Sequence, residues 1–127
     1  MKRTILILSI LLSMDTIYAQ QQSNANMKTA LLLIDIQNDY FENGTMALVG
    51  SDKASENTKL ILERYRANHQ TIIHIQHIAT SPNTTFFRPN TTGAEINNNV
   101  KPLNNEKVIV KHYPNSFRDT ELADYLK

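Results

Sequence analysis

The chain has 127 residues with thirteen basic and twelve acidic side chains, giving a formal net charge of +1. This balance gives no basic excess that would indicate nucleic-acid binding, and the length suits one domain of modest core. The 127 residues contain no cysteine, which excludes a disulfide framework or a thiolate metal site among them.

The first residues have the pattern of an export signal. Lys2 and Arg3 form a positively charged start, and an apolar run follows over residues 5–12. Ala19 then offers a small residue at a cleavage point. The apolar run is too short to span a bilayer comfortably. We therefore expect a signal peptide over residues 1–19.

A polar linker over residues 20–27 is expected to follow, and then one domain over residues 28–127. Cleavage of the signal would give an exported protein, periplasmic or secreted, without further membrane contact. The alternative is a cytoplasmic protein whose translation starts at Met27, directly before the first predicted strand.

The domain is predicted to have an α/β fold organised around its first strand. The apolar run over residues 29–34 leads directly into Asp35. A short apolar run of this kind, closed by turn signals, is typical of a strand buried on both faces. We therefore expect this strand at the centre of a parallel sheet, with Asp35 at the edge where ligands bind.

A helix and a second strand are expected next. The helix is predicted over residues 53–67, with Ser51 or Asp52 as its N-cap and Asn68 in the left-handed C-terminal position. The strand is predicted over residues 71–78, which are β-branched and mostly apolar. Together they form a right-handed parallel βαβ unit.

The segment over residues 79–105 is predicted to be a long loop that contains one helical turn within residues 95–100. A connection of this length in a compact domain is typically a lid or a binding loop. The third strand is predicted over residues 107–111, and a final helix begins at Asp119 or Thr120. Three apolar residues of that helix share one face: Leu122, Tyr125 and Leu126.

Three side chains that could take part in acid–base catalysis lie at or near the ends of the predicted strands. Asp35 ends the first strand, His77 lies near the end of the second, and Lys111 ends the third. In a parallel sheet these ends meet at one edge, where a carboxylate beside an amine can act as a general base. The alternatives are a carboxylate that only caps a strand end and a solvated lysine.

Three segments resemble the isochorismatase-like cysteine hydrolases, and they occur in family order. Leu-Leu-Leu-Ile-Asp-Ile-Gln-Asn-Asp-Tyr-Phe over residues 31–41 resembles the family's first strand and loop. Ile-Ile-His-Ile-Gln-His over residues 72–77 looks like its second strand. Val-Ile-Val-Lys-His-Tyr-Pro-Asn-Ser-Phe over residues 108–117 resembles its lysine strand, and residues 120–126 its next helix.

The resemblance implies a three-layer α/β/α fold, a small-molecule substrate and a catalytic triad of aspartate, lysine and cysteine. Asp35 would deprotonate the cysteine, and Lys111 would stabilise charge and orient the nucleophile. The substrate would be a small amide or a related C–N or ether compound. Four residues are expected at the substrate: Gln37, Phe41, His77 and Phe117. No cofactor is implied. Relatives commonly self-associate, so a homo-oligomer is one alternative, and the sequence leaves the oligomeric state open.

The sequence departs from the family pattern at the nucleophile. The family's cysteine lies one helix and one strand beyond the lysine, and the 127 residues do not reach it. We therefore expect the first half of the fold only, and no hydrolase activity by this mechanism from these residues alone. The alternative function is that of a catalytically inactive fragment or a binding stub.

No metal site is expected, although related nicotinamidases carry one. Their pattern needs an aspartate and two histidines on and just after the second strand. His74 and His77 are three residues apart on a strand and therefore point to opposite faces. Residues 71–87 contain no aspartate. His74 is predicted to be a core residue and His77 a pocket-edge residue.

A phosphohydrolase with an aspartyl nucleophile also begins with an apolar strand that ends in aspartate. That chemistry needs a second acid two residues later, and Gln37 occupies this position. No glycine-rich phosphate loop follows. This alternative is therefore disfavoured.

Overall fold

The computed structural model describes residues 28–127, so the predicted signal peptide and linker lie outside the described residues. These residues form a parallel sheet flanked by helices, which confirms the predicted α/β fold. The elements in chain order are β1 (Ala30–Ile34), α1 (Ser51–Ala67), β2 (Thr71–His77), β3 (Lys107–Lys111) and α2 (Leu122–Tyr125). Single 3₁₀ turns occur at Asn38–Tyr40, Thr92–Ala94 and Asn98–Val100.

The described strands lie in the order β1-β2-β3, and both pairs are parallel. The prediction that β1 lies at the centre is therefore wrong for the described part of the chain, where β2 has this position. With one neighbouring strand, β1 is less buried than its apolar sequence indicates. Leu33 is buried, whereas Ile34 is nearly half exposed.

The sheet packs apolar residues on both faces, because successive side chains of a strand point to opposite sides. On one face Leu33 and Ile72 pack with Leu62 of α1 and Val100 of the long loop. On the other face Ile73, Ile75 and Ile109 pack with Leu122 of α2. Helices on both faces of the sheet give the expected three layers.

Helix α1 ends at Ala67 as predicted, but its start and the left-handed residue after its end differ from the prediction. The helix begins at Ser51 and its N-cap is Gly50, so Ser51 and Asp52 are helical residues and not caps. Gly50 has a φ of 79°, a left-handed conformation that glycine adopts without steric cost. At the other end His69, with a φ of 51°, and not Asn68 takes the left-handed conformation.

Helix α2 is shorter than predicted and begins at Leu122, after Glu121 as its N-cap. Leu122 is buried, but Tyr125 and Leu126 are more than 40% exposed. Of the three apolar residues predicted to share a face, Leu122 is therefore the one that packs against the sheet. None of the helices within residues 28–127 has the length and apolar character that a membrane crossing needs.

Glu106 connects the end of the long loop, residues 78–106, to α1 and β2. Its buried carboxylate accepts hydrogen bonds from the Arg66 guanidinium at 2.7 and 2.8 Å and contacts His74 Nε2 at 2.9 Å. The Leu103 backbone N–H donates to the same carboxylate at 2.9 Å. His74 is 1% exposed, which confirms the prediction of a core residue.

This cluster predicts a loss of stability in acid. The hydrogen bond from Arg66 lowers the pKa of Glu106 to about 2, against an ordinary value of 4.5. The stabilisation is therefore complete above pH 4.5 and is lost as the pH falls through 2. This stabilisation is worth about 3 kcal/mol. Burial lowers the pKa of His74, which adds a loss of the same sign below pH 6.5.

Urea unfolding between pH 7 and pH 2 measures this effect. We expect the free energy of unfolding to fall with pH in the native protein, and to fall much less in Glu106→Gln. Equal pH slopes for the two proteins would contradict the assignment to Glu106.

Candidate active site

The structure brings Asp35 and Lys111 together at the carboxyl edge of the sheet. Asp35 Oδ2 lies 2.9 Å from Lys111 Nζ, and the lysine side chain is 1% exposed. Because β2 separates their two strands, the lysine side chain spans the end of β2 to reach the carboxylate. The Pro114 carbonyl accepts a second hydrogen bond from Lys111 Nζ at 3.0 Å. A buried amine held in this way is a fixed positive charge beside the carboxylate.

The two carboxylate oxygens of Asp35 have different surroundings. Oδ2 contacts Lys111, whereas Oδ1 is buried and has no hydrogen-bond partner among the described residues. The backbone of Asp35 has a φ of 58° and its N–H donates to the Ile75 carbonyl at 3.0 Å. One oxygen is therefore held by a cation while the other is available to accept a proton.

His77 lies beside this pair, on the face of β2 opposite His74. Its ring centroid is 5.4 Å from that of Phe87. Burial lowers the pKa of His77; Asp35 opposes this shift, whereas the positive charge of Lys111 adds to it. The imidazole is therefore held in its neutral form near the carboxylate.

Gln37 is fully buried and uses its whole side-chain amide within the fold. Its Nε2 donates to the carbonyls of His77 at 2.8 Å and Ala94 at 2.7 Å. Its Oε1 accepts from the His77 N–H at 2.7 Å. The residue therefore connects the segment after β1 to β2 and to the long loop. Gln37 therefore exposes no atom that could make the predicted contact with a substrate.

Phe41 lines an apolar groove of about 260 Å³ that opens beside Asp35. The groove is built by the end of β1, the segment after it and the start of α1. Its other lining residues are Ile34, Ile36, Tyr40, Leu48, Ser51, Ala54, Ser55 and Thr58. Phe117 lies outside this groove and its side chain is 53% exposed. The structure therefore places Phe41 beside the carboxylate and leaves Phe117 apart from the groove.

Three residues around the site of Asp35 and Lys111 were not predicted to have a role: Asp39, Tyr40 and Phe87. Asp39 and Tyr40 lie within the motif that carries the family resemblance. Phe87 belongs to a pair of adjacent phenylalanines in an otherwise polar loop, which is a signal for a buried anchor. Its ring contacts that of Tyr40, with centroids 4.8 Å apart.

Across residues 28–127, no group of three histidine, aspartate or glutamate side chains is arranged to hold a metal ion. His74 contacts Glu106 and His77 contacts Phe87, so the two histidines do face opposite sides of the sheet as predicted.

Comparisons with known proteins agree with this geometry. The family model described as the isochorismatase domain matches residues 29–127. An uncharacterized isochorismatase family protein of Bacillus subtilis, YddQ, is 52% identical over 101 residues, which are 80% of this chain and 56% of the relative. A secreted isochorismatase effector of Verticillium dahliae is 34% identical over 99 residues, 78% of this chain and 51% of the relative.

A solved structure from Oleispira antarctica, assigned as an isochorismatase hydrolase, superposes with a TM-score of 0.73 at 40% identity. The match covers 80% of this chain and 55% of that structure. The chain thus spans about half the length of the curated relatives it matches. With a family model that covers the whole described domain apart from Lys28, the chain belongs to the isochorismatase family of hydrolases.

Proposed function

We propose that the chain supplies the aspartate and lysine of a cysteine hydrolase that acts on a small amide or a related C–N or ether substrate. The observation that carries this proposal is the 2.9 Å contact between Lys111 Nζ and Asp35 Oδ2, while Asp35 Oδ1 has no hydrogen-bond partner within residues 28–127. The amine of Lys111 contacts one carboxylate oxygen, and the other oxygen can take a proton.

In this mechanism a thiol donates its proton to Asp35 Oδ1 and its sulfur attacks the electrophilic carbon of the substrate. The bond to the leaving amine or alkoxide breaks, and the proton held by Asp35 passes to the leaving group. Water then resolves the covalent intermediate. Because the 127 residues contain no cysteine, the thiol would come from polypeptide that corresponds to the part of the relatives this chain does not span.

The absence of cysteine also favours a second candidate function, that of a catalytically inactive fragment or binding stub. The intact mass of the natively produced protein separates the two. A mass that requires additional residues including cysteine supports the hydrolase, and a mass that ends at Lys127 supports the inactive fragment.

The hydrolase proposal is tested by incubating the native protein with a panel of small amides and vinyl ethers and measuring release of ammonia, acid or alcohol. We expect turnover of at least one member, and we expect iodoacetamide to abolish it by alkylating the thiol. Turnover that resists alkylation, or a panel without any turnover, would contradict the proposed mechanism.

A further inference from the structure

Asp39 holds a buried carboxylate without a basic partner among the described residues. Asp39 is 4% exposed to solvent. Its Oδ1 accepts from the Thr45 hydroxyl at 2.8 Å and from the Thr45 N–H at 3.3 Å. Its Oδ2 accepts from the Phe87 N–H at 2.6 Å. Burial disfavours the charged form, but these hydrogen bonds outweigh it and lower the pKa of Asp39.

The backbone of the long loop passes directly against this carboxylate. A Cβ atom placed on Gly93 would overlap the side-chain oxygens of Asp39, so only glycine permits this approach. The carboxylate therefore contacts the long loop at two points, Phe87 and Gly93. A buried charge used in this way indicates a role in fixing the position of that loop.

Phe87 has a left-handed backbone conformation, which a bulky side chain disfavours. Its φ is 53°, which is an outlier for a bulky side chain. The residue is fully buried, and its carbonyl accepts from the Ala79 N–H at 2.9 Å. Such strain persists where the surrounding contacts over-determine the backbone, as they do here through Asp39 and Ala79.

The ring of Phe87 contacts two residues that flank the pair of Asp35 and Lys111. Its centroid lies 4.8 Å from that of Tyr40 and 5.4 Å from that of His77. Tyr40 lines the groove beside Asp35. Contacts therefore run from Asp39 through Phe87 to both side chains that border the carboxylate.

We propose that Asp39 is a positioning residue, which fixes the long loop and thereby places Phe87, Tyr40 and His77 around Asp35 and Lys111. This inference rests on the proposed function in one respect, the catalytic role assigned to Asp35 and Lys111. In this arrangement the shape of the substrate site depends on a carboxylate that does not contact the substrate.

The test is Asp39→Asn, read by NMR titration of the His77 ring in the native protein. Loss of the charge weakens the bond to Phe87, so water reaches His77 and its titration midpoint moves upward, toward the ordinary histidine value. The titratable groups that face His77 are Asp35, Lys111 and His112, and the substitution leaves all three in place. Amide hydrogen exchange in residues 84–93 should become roughly ten- to hundredfold faster, as loss of a charge-assisted bond implies.

Glu42→Gln is the matched control, because Glu42 is an exposed acid in the same segment. It should leave both the midpoint and the exchange rates unchanged. Protected β2 amides would show that Asp39→Asn is folded. If this folded variant had the same His77 midpoint and the same exchange rates as Glu42→Gln, the proposal would be overturned. Neither readout requires turnover, so a failed hydrolysis assay leaves this test intact.

Should Asp39→Asn not fold, Gly93→Ala probes the same contact from the long loop. Its methyl group displaces the carboxylate, and we expect the same upward movement of the His77 midpoint. In the Asp39→Ala background, where the space is vacant, Gly93→Ala should have little further effect on stability. Full additivity of the two substitutions would overturn the proposal.

Discussion

Replacement of Asp35 by asparagine is expected to lower the kcat/KM of the native protein by roughly 10²- to 10⁴-fold. Asparagine keeps the size of the side chain and can still accept a hydrogen bond from Lys111, but its amide cannot take up the proton of a nucleophile. The fold should persist, because Asp35 contributes to the sheet through its backbone N–H. Steady-state kinetics on the best substrate of the panel, with circular dichroism for the fold, measures the effect.

Lys111→Ala should reduce kcat/KM to a similar extent, because it removes the amine that contacts Asp35 Oδ2 and is proposed to stabilise charge and orient the nucleophile. Lys107→Ala is the matched control, since Lys107 begins the same strand and pairs with the exposed Glu121 at 2.7 Å. We expect the control to retain turnover. Turnover near the native level in Asp35→Asn or Lys111→Ala would refute the role assigned to that residue.

Replacement of Glu106 by alanine is expected to lower the free energy of unfolding by about 3–5 kcal/mol at pH 7. The substitution leaves the Arg66 guanidinium without its carboxylate, and it removes the acceptor of the Leu103 N–H. It also releases the end of the long loop from α1. Urea unfolding monitored by circular dichroism gives the value.

Glu56→Ala provides the comparison for an exposed ion pair. Glu56 lies 3.2 Å from Lys53 on the surface of α1, where such a pair is worth about 0–1 kcal/mol. A loss in Glu106→Ala no larger than in Glu56→Ala would show that the buried cluster does not stabilise the fold.

Much of the fold is predictable from local pattern. The strand bounds Lys107–Lys111 agree with the prediction because lysines close a continuous β-branched run at both ends. The meeting of Asp35 with Lys111 also follows from the sequence, because parallel strands bring their carboxyl ends to one edge. The position of β1 within the sheet does not follow, because an apolar run does not specify how many strands pair with it.

The surroundings of the catalytic pair are less predictable, because they depend on contacts between distant residues. The bond from Phe87 to Asp39 joins residues 48 apart in sequence, and no periodicity constrains the path of the loop between them. Gln37 was expected at the substrate since it lies near Asp35 in the motif, yet its partner Ala94 makes it a structural residue. The end of α1 at Ala67 was predicted correctly, but its N-cap and its left-handed C-terminal residue were not. Gly50 and His69 take the left-handed backbone at these two positions, beside the residues that the sequence favoured.

The hydrogen bonds of Gln37 also set an order for assembly on the ribosome. One of its acceptors, the Ala94 carbonyl, lies 57 residues further along the chain. A nascent polypeptide that has grown only to the end of β2 contains the complete βαβ unit and Asp35, but it lacks both Ala94 and Lys111. Closing such distant contacts is slow compared with forming local ones. The bond from Gln37 to Ala94 and the contact between Asp35 and Lys111 can therefore form only after the whole βαβ unit has been synthesised.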